Sequence, residues 1–337
     1  MYSWGNDTKD WKSPGAYKYD SARAPYLDKL AADADKKGPR TYTRPNGPDM
    51  KLVSPKNKII TTDSENPIVF LVDGTGSMIG WPAEFFDRAP LLYQTLSQYK
   101  PDIEIAFGVI GDANSDRFPY QINSFGKGLT LDDHIKALYP EGNGGGQVSE
   151  SYELAAYHIL NNCKTPKAKS PFLFVFGDEK FYEIVTQKQA EHFLGIKLEG
   201  EVSSKDVWKA LNQKFNLFYL QKPYGHGDEG ITKEVKQYWA DAIGIQHIVD
   251  IPSADRAVDV AMAIVARYWG QFGDFSKSML ARQDSKTVGK VVDSIRYIPA
   301  PDPNASGKSL LVDKGSKSSK GSKGSRVKMS KRLDDDT

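Results

Sequence analysis

The chain has 337 residues, with 45 Lys and Arg against 43 Asp and Glu, 39% hydrophobic residues and a single cysteine. This composition excludes a collagen-like or wholly disordered chain, and the lone Cys163 excludes a disulfide framework and a zinc cluster of several cysteines. No run approaches the roughly 18 apolar residues that a membrane helix needs. No secretory signal is visible at the start of the sequence, so we expect a cytoplasmic protein.

Both ends of the chain differ from its middle. Residues 1–65 hold 12 basic and 9 acidic residues, and residues 302–337 hold 9 basic and 5 acidic ones, so the region between them is net acidic. Residues 1–65 are polar and often interrupted by proline, which predicts an extended N-terminal arm. Residues 302–337 repeat a basic residue among Gly and Ser, which predicts a disordered basic tail. Such a tail would contact nucleic acid or another acidic surface weakly, or serve only as a solubilising end.

Between the two ends, apolar runs alternate with helical patterns. The apolar runs predict strands at Ile68–Val72, Ile103–Ile110, Tyr120–Phe125, Phe172–Phe176, Asn216–Leu220 and Gln246–Ile251. The helical patterns lie at Pro82–Tyr99, with a kink or break at Pro90, and at Thr130–Leu138, Ser149–Asn162, Val202–Phe215, Ile231–Ile243 and Ser253–Trp269.

The alternation of strands and helices predicts an α/β fold of three layers, in which a doubly wound, mainly parallel sheet has helices on both faces. We assign residues 66–272 to this domain and residues 273–301 to a C-terminal extension. The more polar run Tyr120–Phe125 suits an edge strand. In such sheets ligands bind beyond the carboxyl ends of the strands.

The loop after the first predicted strand carries oxygen-bearing side chains at alternate positions. Asp73, Thr75 and Ser77 are separated by Gly74 and Gly76. Alternate residues of an extended loop point the same way, so we expect the three side chains to converge on one point. Hard oxygen ligands of this kind suit Mg²⁺, Mn²⁺ or Ca²⁺ rather than zinc.

Three other interpretations of this loop compete with a metal site. Phosphoryl transfer by an aspartyl nucleophile would need the nucleophile at position 71, which is Leu71. Dinucleotide binding would need a helix directly after the glycines, whereas Pro82 delays the helix and Asp73 would crowd an anion. A plain turn without a ligand is the third.

The motif Asp73-x-Thr75-x-Ser77 resembles the metal-ion-dependent adhesion site of von Willebrand factor A (vWA) domains. The resemblance covers about residues 66–270 and includes a second motif, the apolar strand that ends in Gly177-Asp178. It implies a Rossmann-like vWA fold in which Thr75 and Ser77 bind Mg²⁺, Mn²⁺ or Ca²⁺ directly. It also implies that Asp73 and Asp178 contact the ion mostly through water.

A third, glycine-rich loop at residues 142–150 departs from the family pattern. The family uses a Thr of this loop as a direct metal ligand, and residues 142–151 contain none. Ser149 and Gln147 supply the available oxygens, and Glu150 could also reach the site. We take Ser149 as the metal ligand and Gln147 as a residue that contacts a partner.

The resemblance implies that an open coordination position on the metal takes an acidic residue of a partner protein. Trp81, just past the metal loop, and His226, in a loop after a later strand, are predicted to line the partner surface. Asp112 follows a strand at the same edge, as in intracellular bacterial and phage-borne members of the family, and is predicted to contact the partner as well. The alternatives are a core position for Trp81, a turn role for Asp112 and a plain rim loop for His226.

The sequence therefore predicts a divalent-metal-dependent protein-protein binding module, a subunit or adaptor of a larger intracellular assembly. Catalysis has little support, because the five histidines show no metal-pair spacing and no Walker-type phosphate loop occurs. We expect the protein not to be an enzyme. A metal-assisted hydrolase that uses Asp73, Asp178 and His226 is one alternative, and a structural component of a particle is another.

Overall fold

The computed structural model describes residues 46–299, except residues 79, 129, 144–147 and 226. The predicted basic tail at 302–337 and most of the predicted arm lie outside these residues. Gln147 and His226, two of the predicted partner contacts, also lie outside them.

Helices separate the main parallel strands of the described residues, as the sequence predicts, and several short strands lie between them. The strands are β1 (Ile60–Thr61), β2 (Pro67–Asp73), β3 (Glu104–Ile110), β4 (Tyr120–Ile122), β5 (Ser149–Glu150), β6 (Cys163–Lys164), β7 (Phe172–Gly177), β8 (Lys180–Phe181), β9 (Ile184–Val185), β10 (Val202–Ser203), β11 (Asn216–Gln221) and β12 (Ile248–Asp250). The helices are α1 (Met50–Val53), α2 (Trp81–Ser97), α3 (Thr130–Lys136), α4 (Tyr152–Asn162), α5 (Gln187–Gln189), α6 (Ser204–Lys214), α7 (Glu229–Ile243), α8 (Ala257–Tyr268), α9 (Phe272–Leu280) and α10 (Ser285–Ser294).

The central sheet has six strands in the order β12-β11-β7-β2-β3-β4. Neighbouring strands are parallel except β4, which pairs antiparallel with β3 at the edge. The predicted α/β class, the mainly parallel sheet and the edge position of the strand that begins at Tyr120 are confirmed. From β2 the chain builds the sheet outward through β3 and β4, and from β7 it builds the other half. A doubly wound sheet forms its ligand crevice at this reversal, beyond the ends of β2 and β7.

Alternate residues of β2 enter two separate cores, which gives the fold its three layers. Phe70 and its neighbours on one face pack with helices α2, α8, α9 and α10, including Phe85 of α2. Leu71 and its neighbours on the other face pack with α4, α6 and α7, where Trp208 and Trp239 are fully buried. All seven residues of β2 are buried, as expected for a central parallel strand.

Two local predictions are corrected by the structure. Of the kink or break predicted at Pro90, the structure excludes the break, because helix α2 continues through Pro90 and packing of its buried residues 88–96 offsets the backbone hydrogen bond that proline cannot donate. Ser149 and Glu150 form strand β5 rather than the start of a helix, because they pair with Lys180 and Phe181 of β8. Helix α4 begins only at Tyr152.

Both flanking segments contribute buried residues to the domain. In the described part of the predicted arm, Val53 of α1 and Ile60 of β1 are fully buried, and β1 pairs in parallel with β6. In the C-terminal extension, Phe275 of α9 and Val291 of α10 join the core that α8 covers. No helix in the described residues has the length and apolar character needed to cross a membrane.

Candidate metal centre

The loop after β2 is fixed by its own hydrogen bonds and by close packing. The Thr75 amide donates to Asp73 Oδ1 over 2.8 Å, and residues 76–78 form a single 3₁₀ turn. A Cβ atom on Gly74 would lie 2.6 Å from a methyl carbon of Val109 and 2.9 Å from the Cα of Pro140, so only glycine fits there. The backbone therefore turns at once after the strand and returns the next side chains to the sheet edge.

Four of the predicted metal-binding side chains form one chain of hydrogen bonds. The Thr75 hydroxyl donates to Asp73 Oδ1 over 2.6 Å, and the Ser77 hydroxyl donates to Asp178 Oδ1 over 2.7 Å. The two hydroxyl oxygens lie 3.3 Å apart. Because β2 and β7 are neighbours in the sheet, the structure brings Asp73, Thr75, Ser77 and Asp178 together as the sequence predicts.

Two glutamates join the two aspartates, and we call Asp73, Glu150, Asp178 and Glu179 the carboxyl cluster. All four side chains are at most 4% exposed. The Oε2 atoms of Glu150 and Glu179 are buried without a hydrogen-bond partner among the described residues. The cluster therefore concentrates acidic oxygen atoms at the switch point of the sheet.

Burial favours the protonated form of three carboxyl groups in this cluster. Desolvation, followed by the charge of Asp178, raises the pKa of Asp73 above its ordinary value. Desolvation, followed by the charge of Asp73, raises the pKa values of both Glu150 and Glu179. All three shifts have one physical cause, a set of carboxyl groups that is removed from water with too little positive charge nearby.

The glycine-rich loop brings Glu150 rather than Ser149 to the cluster. Successive residues of a strand point to opposite sides, and on β5 it is Glu150 that is buried near Asp73, whereas Ser149 is only half-buried. The structure therefore places Glu150, and not the predicted ligand Ser149, at the carboxyl cluster. The sequence led to Ser149 instead, because which residue of the loop faces the cluster depends on its pairing with β8.

Tyr152 and Lys222 were not singled out by the sequence analysis, yet both contact the cluster. The Tyr152 hydroxyl donates to Asp73 Oδ2, and the Lys222 ammonium donates to Asp178 Oδ2 over 2.7 Å. A Cβ atom on Gly177 would lie only 2.0 Å from the Tyr152 hydroxyl oxygen, so the glycine before Asp178 makes room for the tyrosine. In the sequence, the Gly177-Asp178 pair was the feature that pointed to this part of the centre.

The described residues of the predicted partner surface occupy mixed positions. Trp81 is half-buried, with its ring centroid 5.6 Å from that of Phe176. Asp112 is fully buried and accepts hydrogen bonds from the Asn114 amide at 3.0 Å and the Tyr182 hydroxyl at 3.1 Å. These contacts favour the turn role of Asp112, although its charge still helps to raise the pKa of Glu150.

Two of the described histidines, His158 and His247, have structural partners. His158 lies between the Tyr120 hydroxyl and the Lys58 carbonyl oxygen, at 3.1 and 2.8 Å. The Nδ1 atom of His247 lies 2.8 Å from the carbonyl oxygen of Leu217. Desolvation lowers the pKa values of both histidines, which agrees with neutral rings held inside the fold.

The donor set of the centre fits a hard divalent cation. Among the described residues, no three His, Cys, Asp or Glu side chains are grouped so as to hold a metal by themselves. Two hydroxyl oxygens would therefore have to be direct ligands, with Asp73 and Asp178 accepting their hydrogens from behind. Hydroxyl and carboxylate oxygens are ligands that Mg²⁺ accepts, and the surplus of buried acid favours a dication.

No protein-family model matches the chain, and no curated protein matches it. Among solved structures, the pilus adhesin SpaC from Lactobacillus rhamnosus GG, in its open conformation, is similar with 14% identity and a TM-score of 0.43. That match covers 65% of this chain and 31% of SpaC, so the chain spans about a third of that protein. The SpRpn10 VWA domain is similar with 12% identity and a TM-score of 0.36, over 58% of this chain and 94% of that domain. The assignment of the α/β fold therefore rests on the strand order of the central sheet rather than on these similarities.

Proposed function

We propose that the chain is a divalent-cation-dependent protein-binding module that works as a cytoplasmic subunit or adaptor of a larger assembly and has no enzymatic activity. One observation supports the proposal above the others. Four buried carboxyl groups lie at the switch point of the sheet, two of them accept hydrogen bonds from the Thr75 and Ser77 hydroxyls, and one buried ammonium is too little to balance them.

Each residue of the centre has a defined task in this proposal. Thr75 and Ser77 offer their hydroxyl lone pairs to Mg²⁺, because their hydrogens are already donated to Asp73 and Asp178. Tyr152 holds Asp73 in place through its hydrogen bond to Oδ2. When bound, the cation supplies an open coordination position and reverses the sign of the local charge.

The charge of the carboxyl cluster makes binding of an acidic partner depend on the cation. Without a cation, a carboxylate of the partner would meet a surplus of buried acidic groups, which is unfavourable in a partly dry interface. A bound dication attracts the same group. The half-buried Trp81 lies beside the centre, where an aromatic ring can anchor the partner's contact.

Calorimetric titration with Mg²⁺ and Mn²⁺ tests the cation site. The wild type should release or absorb heat on binding, and Asp73→Asn should bind at least about tenfold more weakly. Asp250→Asn is the matched control, because Asp250 ends β12 at the same edge of the sheet as Asp73 ends β2, but is exposed. A wild type that binds neither ion would disprove the metal centre.

Partner capture in Mg²⁺ and in chelator tests the binding role. Proteins that bind the wild type in Mg²⁺ should be lost in chelator and lost with Ser77→Ala, whose missing hydroxyl removes a direct ligand. Partners that survive both treatments would argue against a metal bridge. Turnover of generic phosphoesters that disappears in His226→Ala would instead favour the hydrolase alternative.

A further inference from the structure

Lys222 places a buried positive charge inside the acidic centre. It follows the last residue of β11, and its amide donates to the Gly177 carbonyl oxygen over 2.9 Å, which extends the pairing with β7 by one residue. Its side chain is 5% exposed, whereas that of its ion-pair partner Asp178 is fully buried. Lysine is almost never buried to this extent unless it is paired.

The ammonium of Lys222 has a complete set of acceptors. Its Nζ atom lies 2.7 Å from Asp178 Oδ2, 2.9 Å from the Pro223 carbonyl oxygen and 3.3 Å from that of Gly225. It also lies 5.8 Å from the ring centroid of Trp81. An ammonium has three hydrogens to donate, so these acceptors hold the charge at one place.

Asp178 is thereby shared between the Ser77 hydroxyl and the Lys222 ammonium, and the Gly225 amide also donates to its Oδ2 atom, over 3.4 Å. Its Oδ1 atom accepts from the Ser77 hydroxyl, and its Oδ2 atom accepts from Lys222. A dication beside Ser77 would meet a fixed positive charge on the far side of the same carboxylate. The dication and the Lys222 ammonium would therefore repel each other strongly, because water is excluded from the centre.

We propose that Lys222 is a built-in counter-ion of the carboxyl cluster, which stabilises the centre without metal and weakens its affinity for divalent cations. This inference rests on the proposed cation site and goes beyond it, because it names the residue that sets the affinity. Mg²⁺ would then bind reversibly, and the occupied fraction of the site would follow the Mg²⁺ concentration.

Calorimetric Mg²⁺ titration and thermal unfolding of three variants test the inference. Lys222→Met removes the charge at similar length, Lys222→Arg keeps the charge, and Lys236→Met removes an ammonium that pairs with Asp250 at the neighbouring strand β12. We expect Lys222→Met to bind Mg²⁺ about tenfold more tightly than the wild type. Lys222→Arg and Lys236→Met should stay within about twofold of the wild type.

Thermal unfolding gives the second readout. In chelator, Lys222→Met should melt below the wild type, because Asp178 is left buried without its counter-ion. In Mg²⁺ the melting temperature should rise more for this variant than for the wild type. If Lys222→Met does not fold in chelator, Mg²⁺ should restore its folding, and failure to do so in both Lys222→Met and Lys222→Gln would overturn the inference.

The outcomes separate this inference from the proposed function. Equal Mg²⁺ affinity of wild type and Lys222→Met would overturn the role of Lys222 and leave the cation site intact. Binding by Lys222→Met alone would support the role of Lys222 and disprove the proposed function of the wild type. Absence of binding by every variant would overturn both.

Discussion

Two clusters of buried charge in this domain differ in their balance. The first, which we call the arginine cluster, consists of Glu84, Arg88, Asp255, Arg256 and Asp259 and lies where α2 meets the start of α8. It sets two guanidinium groups against three carboxylates. The carboxyl cluster sets one ammonium, that of Lys222, against four carboxyl groups.

Each carboxylate of the arginine cluster pairs with a guanidinium group of the same cluster. Arg256 donates to Asp259 Oδ2 over 2.9 Å and to Gln283 Oε1 over 2.7 Å. Although burial opposes it, hydrogen bonds from Arg256 hold the pKa of Asp255 below its ordinary value. Burial raises the pKa of Asp259 even so, although Arg256 and Arg88 oppose the shift, whereas at Asp73 of the carboxyl cluster burial and the charge of Asp178 raise the pKa together. Near-balanced charge favours a structural role, and the surplus of acid in the carboxyl cluster is the feature on which the proposed cation site rests.

The largest expected effect comes from breaking the arginine cluster. Arg256→Met should lower the free energy of unfolding by about 3–5 kcal/mol, because Asp259 would stay buried without its counter-charge. Urea unfolding measures the loss. Lys233→Met is the control, since its pair with Glu229 is exposed and should contribute at most about 0.5 kcal/mol. A loss below about 1 kcal/mol for Arg256→Met would remove the contrast between the clusters.

Metal removal should make stability depend on pH through the carboxyl cluster. The pKa of Asp73 and those of the two glutamates are raised in the folded state, so the folded chain holds protons that the unfolded chain releases. In chelator, the free energy of unfolding should therefore fall as pH rises above about 4, by up to about 1.4 kcal/mol per pH unit for each such proton. Mg²⁺ should reduce this slope.

Urea unfolding at several pH values between 5 and 8, in chelator and in Mg²⁺, measures the effect. The buried histidines titrate in the opposite sense, because the lowered pKa values of His158 and His247 reduce stability as pH falls. The difference between the two conditions therefore isolates the carboxyl cluster. Equal slopes in chelator and Mg²⁺ would show that the cation does not reach it.

The smallest expected effect comes from the hydroxyl of Tyr152. Tyr152→Phe should cost about 1–2 kcal/mol of unfolding free energy, because Asp73 loses a buried hydrogen-bond donor while the ring remains in place. It should also weaken Mg²⁺ binding, whereas Tyr99→Phe, which removes a hydroxyl bonded to Asp274 at the surface, should not. Unchanged affinity in Tyr152→Phe would mean that Thr75 alone orients Asp73.

The sequence predicted the sheet and half of the centre for physical reasons that particular residues make clear. Strand β2 is buried on both faces, so its apolar run was visible, and Asp73, Thr75 and Ser77 follow it directly. Asp178 was visible for the same reason at the end of β7. The sequence did not reveal the role of Lys222, because its place beside Asp178 depends on β11 pairing with β7. It did not separate Glu150 from Ser149 as the residue that faces the cluster, because a two-residue strand has no detectable period.

The single thiol of the chain offers a measure of how tightly the segment before β2 is held. Cys163 is fully buried in β6, where it pairs with Ile60 of β1, and burial raises the pKa of its thiol to about 12. An alkylating reagent reacts with the thiolate, so labelling must await an opening event that exposes the sulfur. The rate of labelling in native buffer thus reports how often strand β1 detaches from the domain.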